Sequence, residues 1–235
     1  THLCLVVGFL CVILQPKTRD MEKTFKAALF DLDGVVFDTE PQYTEFWGAQ
    51  CREFHPEKPH LERDIKGQTL VQIYDRYFAG ELEAVRPIIT KRLNEFEQQM
   101  EFVYVAGFES FMADLKASGV YTAVVTSSNN RKMEAVYGKH PEFKQMFDAI
   151  LTAEDFERSK PDPDCYLKAA LRFGAASSEC IVFEDSFNGL KSGRAAKMKV
   201  IGLATTNPAE AIGPYCDMVV DDYTVLDCSK CKALL

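Results

Sequence analysis

The sequence predicts an α/β protein: a doubly wound parallel sheet interrupted by an all-helical insertion. Three observations carry that expectation. Short apolar runs without polar alternation recur along the chain, as in strands covered on both faces. From residue 106 onward these runs alternate with helical patterns, the rhythm of a doubly wound sheet. Residues 40–104 break the rhythm and show helical patterns only.

The elements follow in order. Phe25 to Phe30 (FKAALF) reads as the first strand and runs straight into Asp31-Leu32-Asp33-Gly34. Helices are expected over Gln42 to Phe54, Leu70 to Phe78 and Ala84 to Met100, with Pro41 and Pro87 near helix starts, where proline is well tolerated. Glu109 to Ser118 places Phe111, Met112 and Leu115 at helical spacing, and Gly119 ends it. Tyr121 to Thr126 (YTAVVT) is β-branched and uncharged, a second strand. A helix over Asp164 to Phe173 starts after Pro163 and stops at Gly174. Cys180 to Phe183 (CIVF) is the third strand and leads into Glu184-Asp185, followed by a helix over Asn188 to Lys197. Lys199 to Ala204 and Met218 to Val220 complete a set of five strands.

Composition narrows the function. The chain has 235 residues, of which 47% are apolar and 26% charged, enough for a globular core and a smaller unit beside it. Acidic residues number 35 and basic residues 27, a formal charge of −8. That balance argues against a nucleic-acid or anionic-membrane binder, which needs a basic face. Eight scattered cysteines read as reduced thiols of a cytoplasmic protein, and Cys228-x-x-Cys231 lacks two further ligands at metal spacing. Leu3 to Leu14 is apolar but too short to span a bilayer as a helix, and no Lys or Arg precedes it as in a signal peptide. Met21 is read as the start, with residues 1–20 left outside the fold.

Four features fall at predicted strand ends, where α/β sheets gather their ligand sites. The first is Asp31-Leu32-Asp33-Gly34. Two carboxylates two residues apart on an extended segment point the same way, and their repulsion makes one hold its proton more readily. Such a pair can divide labour in phosphoryl transfer, one attacking phosphorus and the other moving the proton. Alone it is equally an acidic turn. The second is Thr126-Ser127-Ser128, whose hydroxyls and N–H groups can hold phosphate oxygens but can also merely cap a helix. The third is Lys160 in the proline-stiffened Ser159-Lys160-Pro161-Asp162-Pro163, a fixed positive charge or a surface lysine. The fourth is Glu184-Asp185. With Asp31, Asp185 offers Mg²⁺ the oxygen ligands it prefers. Neutralising the phosphate is needed because an anionic nucleophile must approach an anionic substrate.

Taken together, and in this order, the four features resemble the haloacid dehalogenase superfamily. The likeness is to the branch with a small helical cap that includes β-phosphoglucomutase and many sugar phosphatases. It covers about residues 24 to 225. The resemblance implies a Rossmann-like core over 24–39 and 105–225 and a cap over 40–104. It implies Asp31 as the nucleophile, and Asp33 as general acid and base with its backbone carbonyl on the metal. Thr126, Ser127 and Lys160 would bind the phosphoryl group. Mg²⁺ would be held through Asp31, Asp33 and Asp185, with Glu184 assisting through water. Dehalogenases of the family generally lack the second aspartate, so Asp33 favours phosphoryl transfer.

The cap is expected to choose the substrate. Members similar to β-phosphoglucomutase carry a His ten residues after the second Asp; this chain has Tyr43 there, which speaks against a mutase cycle and for hydrolysis. Arg63, Lys66, Gly67, Gln68 and Thr69 stand where related caps present a specificity loop. Lys66 is the residue singled out for contact with a hydroxyl-rich phosphorylated ligand. Phe46 and Trp47 read as cap packing. No P-loop and no G-x-G-x-x-G is present, so no nucleotide cofactor is indicated. The expectation is a Mg²⁺-dependent phosphatase of a small phosphomonoester, a monomer or weak dimer. A phosphosugar mutase, an inorganic pyrophosphatase and a non-catalytic binding protein are the alternatives.

Overall fold

The computed structural model of the chain describes residues 24–66 and 68–235. The expected extension over residues 1–20 therefore lies outside the described residues. Six parallel strands form one sheet in the order β3-β2-β1-β4-β5-β6. They are β1 (Ala27–Phe30), β2 (Tyr121–Val125), β3 (Ala149–Leu151), β4 (Cys180–Glu184), β5 (Lys199–Leu203) and β6 (Met218–Val220).

The strands are apolar throughout because both faces of the sheet are covered. In β1, Ala28 and Phe30 point into one hydrophobic cluster, and Ala27 and Leu29 into another on the opposite face. β4 divides the same way, with Ile181 and Phe183 on the first side and Cys180 and Val182 on the second. Phe30 and Phe183 stack across the β1–β4 pair with ring centroids 4.5 Å apart, and Phe108 and Phe111 meet the Phe30 ring edge-on.

Between β1 and β2 the chain is helical: α1 (Glu40–Phe54), α2 (Glu62–Ile65), α3 (Leu70–Tyr77) and α4 (Arg86–Gln99) are followed by α5 (Phe108–Ala117). The first four close on a core of their own, with Phe46, Trp47, Ile73, Phe78, Ile89 and Leu93 among its members. A 3₁₀ turn over Gly80–Val85 precedes α4, so the helix expected from Ala84 begins at Arg86, with Pro87 in its first turn. Past β2 come α6 (Asn130–Lys139), α7 (Phe143–Met146), α8 (Asp164–Arg172), α9 (Phe187–Ala195), α10 (Ala209–Ile212) and α11 (Cys228–Leu234).

Beyond the short helices α2, α7, α10 and α11, β3 and α6 escaped the sequence. β3 is only three residues long, too short to register as a strand. α6 (NRKMEAVYGK) is mostly polar, and its buried face holds Met133, Val136 and a lysine, Lys132. The Cys228 and Cys231 pair sits on α11, where Cys231 is buried in the core and burial pushes its thiol up to about 12. No helix among the described residues is long and apolar enough to cross a membrane.

Candidate active site

Strand order reverses beside β1: the chain moves outward through β2 and β3, then returns to β4 on the other side. The carboxyl ends of β1 and β4 flank the resulting crevice. β1 delivers Asp31, whose N–H donates to the Phe183 carbonyl at 3.0 Å, and β4 delivers Glu184 and Asp185. Thr126, Ser127, Lys160 and Asp185 join Asp31 and Asp33 in lining one cavity of about 630 Å³, together with Lys66, Tyr43 and Glu97 from the helical insertion.

Lys160 is buried, 5% exposed, and its Nζ donates to Asp31 Oδ1 at 2.7 Å, Glu184 Oε1 at 2.6 Å and the Val125 carbonyl at 3.0 Å. Desolvation alone would push this ammonium towards neutrality; Asp31 and Glu184 outweigh it and hold the lysine charged well above its usual range. Burial raises the Asp31 carboxyl to about 7. Lys160 pulls against that rise, while Glu184 and Asp33 add to it. Asp185 is also driven well above the carboxylate range, first by burial and then by Glu184.

Oxygens of Asp31, Glu184 and Asp185 lie within 4.8 Å of one another. Asp185 Oδ2 accepts from the Thr206 hydroxyl, whereas Oδ1 is buried with no hydrogen-bond partner. Three clustered carboxyls with an orphaned oxygen among them have the donor chemistry that a hard divalent cation takes, so the residues fit Mg²⁺.

Glu184 serves Lys160 as much as this cluster. It is fully buried and absent from the cavity wall; Oε1 accepts from Lys160 and from the Tyr166 hydroxyl at 2.7 Å, and Oε2 from the Ser186 hydroxyl at 3.2 Å. Gly189 in α9 makes room for it, because a Cβ there would overlap the Glu184 carboxylate. Gly34 has φ +73°, and a Cβ on it would run into Asp185 and Thr206. The acidic turn after β1 can thus lie directly against the end of β4.

Asp33 is not part of the three-carboxyl cluster. Its Oδ1 accepts from the Thr39 hydroxyl at 2.6 Å, and its Oδ2 from the Ser128 hydroxyl at 3.3 Å and from the Lys132 ammonium. The Thr126 hydroxyl accepts the Ser128 N–H at 3.0 Å, which tightens the turn after β2.

The insertion contributes unevenly. Lys66 lines the cavity with its Nζ 3.9 Å from Glu40, and Thr69 lines it while capping α3. Burial, then the nearby Asp33, raises Glu40 to about 7. Arg63 is exposed and off the cavity wall, and Gly67 lies outside the described residues. Phe46 and Trp47 belong to the insertion's core, Trp47 also touching the cavity. Tyr43 lines the cavity and donates to Glu97 at 2.9 Å.

Sequence reasoning missed Thr39, Lys132, Tyr166 and Thr206. Only Lys132 left a trace: it sits one residue before Met133, on the apolar stripe that Val136 continues, where a lysine is out of place.

Residues 28–203 match the haloacid dehalogenase-like hydrolase family. The chain is 30% identical over 194 residues to hexitol phosphatase A of Escherichia coli, covering 79% of this chain and 85% of that one. It is 28% identical to validoxylamine A 7'-phosphate phosphatase of Streptomyces hygroscopicus subsp. limoneus, covering 85% and 95%. Among solved structures, a family IA hydrolase from Entamoeba histolytica superposes with a TM-score of 0.77 at 22% identity, covering 89% of this chain and 98% of that one, a likeness of fold. The match of the family over the sheet and its acidic strand ends establishes that this chain belongs to the haloacid dehalogenase-like hydrolases.

Proposed function

We propose that the chain is a Mg²⁺-dependent phosphatase of a small phosphomonoester, a sugar or polyol phosphate being the class that best suits the cavity. The observation that carries this is the Asp31–Lys160 pair lining a cavity whose wall joins polar groups at the sheet's edge, among them Asp33, Thr126 and Ser127, to polar and apolar side chains of the helical insertion, among them Lys66, Glu40, Trp47 and Leu93. The relatives named above are a hexitol phosphatase and a validoxylamine A 7'-phosphate phosphatase, which supports the same class. The division into a core over 24–39 and 105–225 and a cap over 40–104 belongs to this reading, as do a cytoplasmic location and a monomer or weak dimer.

Asp31 attacks phosphorus through its side-chain oxygen and becomes an aspartyl phosphate. Lys160 fixes the Asp31 carboxylate and offers its remaining charge to the phosphoryl oxygens, with the Ser127 hydroxyl and the turn at Thr126 beside it. Asp33 gives a proton to the leaving oxygen, then takes one from the water that hydrolyses the aspartyl phosphate. Asp31 and Asp185, with the Asp33 backbone carbonyl, would hold Mg²⁺, and Glu184 would support it from behind. Bound there, the ion supplies the positive charge that lets a carboxylate approach a phosphate dianion. Lys66, Glu40 and Tyr43 face the leaving group and exclude water from it.

Phosphate release from a panel of sugar and polyol phosphates, nucleotides and pyrophosphate, with and without Mg²⁺, tests the reading. Mg²⁺-dependent release that Asp31→Asn removes is the expected result. Preference for pyrophosphate, or turnover only with a sugar bisphosphate activator, would replace it by the pyrophosphatase or mutase alternative. Metal binding without turnover of anything would leave a binding protein on this fold.

A further inference from the structure

Among the lysines lining the cavity, Lys132 is the one that the mechanism above leaves unused. It is 3% exposed, on α6, and its Nζ donates to Asp33 Oδ2. Its backbone N–H is held by the Asn129 side chain at 3.0 Å, and its ammonium lies 4.7 Å from the centre of the Tyr43 ring. Tyr43 is in turn tied to Glu97 of α4. A line of contacts therefore runs from the helical insertion through Tyr43 and Lys132 to Asp33. Burying a lysine is costly unless its charge is paired, and Asp33 is the pair.

We propose that Lys132 is a positioning residue for Asp33, holding the carboxyl so that Oδ1 carries the proton bound for the leaving oxygen. This rests on the phosphatase reading. An ammonium has three donors and no acceptor, and the Ser128 hydroxyl donates to the same oxygen at 3.3 Å, so a protonated Asp33 that keeps both contacts carries its hydrogen on the other oxygen. Thr39, on the other oxygen, has a hydroxyl that can turn to accept as readily as donate. The proton therefore sits on Oδ1. In the first step an Asp31 oxygen bonds to phosphorus, the phosphorus–leaving-oxygen bond breaks, and the Oδ1 proton passes to the departing oxygen. In the second, water attacks phosphorus, its proton returns to Asp33, and the phosphorus–Asp31 bond breaks. In this assignment Lys132, although it lines the cavity, acts on the reaction through Asp33.

The test is the dependence of kcat/KM on leaving-group basicity, measured with Mg²⁺ on a series of substituted phenyl phosphates. These differ little in shape and carry no sugar hydroxyls. A nitrophenolate departs without a proton; an electron-rich phenolate needs one. Lys132→Met should cost the most basic leaving group roughly 10²-fold and the nitrophenyl ester only a few-fold, so that the slope steepens. Lys132→Arg should restore the wild-type slope. Should the Met variant fail to fold, Lys132→Gln keeps one donor and should steepen the slope partway. A loss equal across the series, or an Arg variant as steep as Met, would reduce Lys132 to a packing or phosphate-binding residue and overturn the proposal. A wild type inert towards every ester would overturn the phosphatase reading and this inference with it, whereas an active wild type whose slope the substitutions leave unchanged would overturn this inference alone.

Discussion

Asp31 lies between opposing influences. Lys160 donates to it at 2.7 Å, while burial and the neighbouring Glu184 and Asp33 favour its protonated form. Asp31→Asn keeps the shape and removes the attacking oxygen. It should abolish phosphate release and leave the fold near normal by circular dichroism; retention of more than about a tenth of the activity, a barrier change of only ~1.4 kcal/mol, would remove Asp31 as the nucleophile. Glu184 is a different case, since it holds Lys160 from behind and receives the Tyr166 hydroxyl. Glu184→Gln leaves Lys160 with one carboxylate instead of two. Substrate affinity should fall with it, seen as a KM rise of about tenfold or more, on the scale of a buried charge-assisted hydrogen bond. An unchanged KM would show that Asp31 alone suffices to place the lysine.

At the scale of elements, the site depends on how loops and helix starts are fastened. Asn129 caps α6 by accepting the Lys132 N–H, and Lys132 carries the ammonium that meets Asp33. Loss of such a cap costs about 1 kcal/mol. Asn129→Ala should therefore lower the urea midpoint modestly and depress turnover beyond what that loss of stability explains. Unaltered activity in the folded variant would show that the start of α6 is held by other contacts. At the other end of the crevice, Gly189 lets the first turn of α9 approach Glu184. Gly189→Ala should disturb Lys160 through Glu184 despite the usual gain in helix propensity from alanine. A variant more stable and fully active would contradict that close approach.

The whole molecule places two cores against one cavity. The sheet's two faces and the insertion's cluster around Phe46, Trp47 and Phe78 are separate, with Tyr43 and Phe96 packing against both the insertion's cluster and one sheet face. Stability far from the site has its own electrostatic support. Asp217 accepts from Arg194 at 2.8 Å, Lys199 at 3.0 Å and the Val200 N–H at 2.9 Å, joining α9 to β5. Burial tends to raise its carboxyl, but these three donors outweigh burial and hold it below its ordinary value of 3.8. A depressed folded-state value means that the stabilisation is complete above the unfolded value and disappears as pH falls through the folded one. Asp217→Asn should accordingly weaken the protein at pH 7 in urea unfolding, with the gap from wild type narrowing below pH 3.8. A gap that stays constant into that range would assign the loss to packing instead of charge.

Much of this was legible in the residues themselves. Strands buried on both faces must be apolar throughout, so β1, β2, β4 and β5 announced themselves, and the acids following β1 and β4 could be placed at one sheet edge from their position after apolar runs. β3 and α6 were not legible, the one because three residues carry no period, the other because a mostly polar helix shows a stripe of only a few buried positions. What the sequence by itself determined was the doubly wound sheet and the identity of Asp31, Asp33, Thr126, Lys160 and Asp185 as candidates. Only the tertiary structure decided that Glu184 turns its oxygens to Lys160 and Tyr166, that Asp185 keeps one oxygen unpartnered, and that Lys132, 99 positions away in sequence, meets Asp33. The physical reason is that local sequence sets which backbone periods are favoured, whereas the partners of a buried charge are chosen by which elements the fold brings within hydrogen-bond reach.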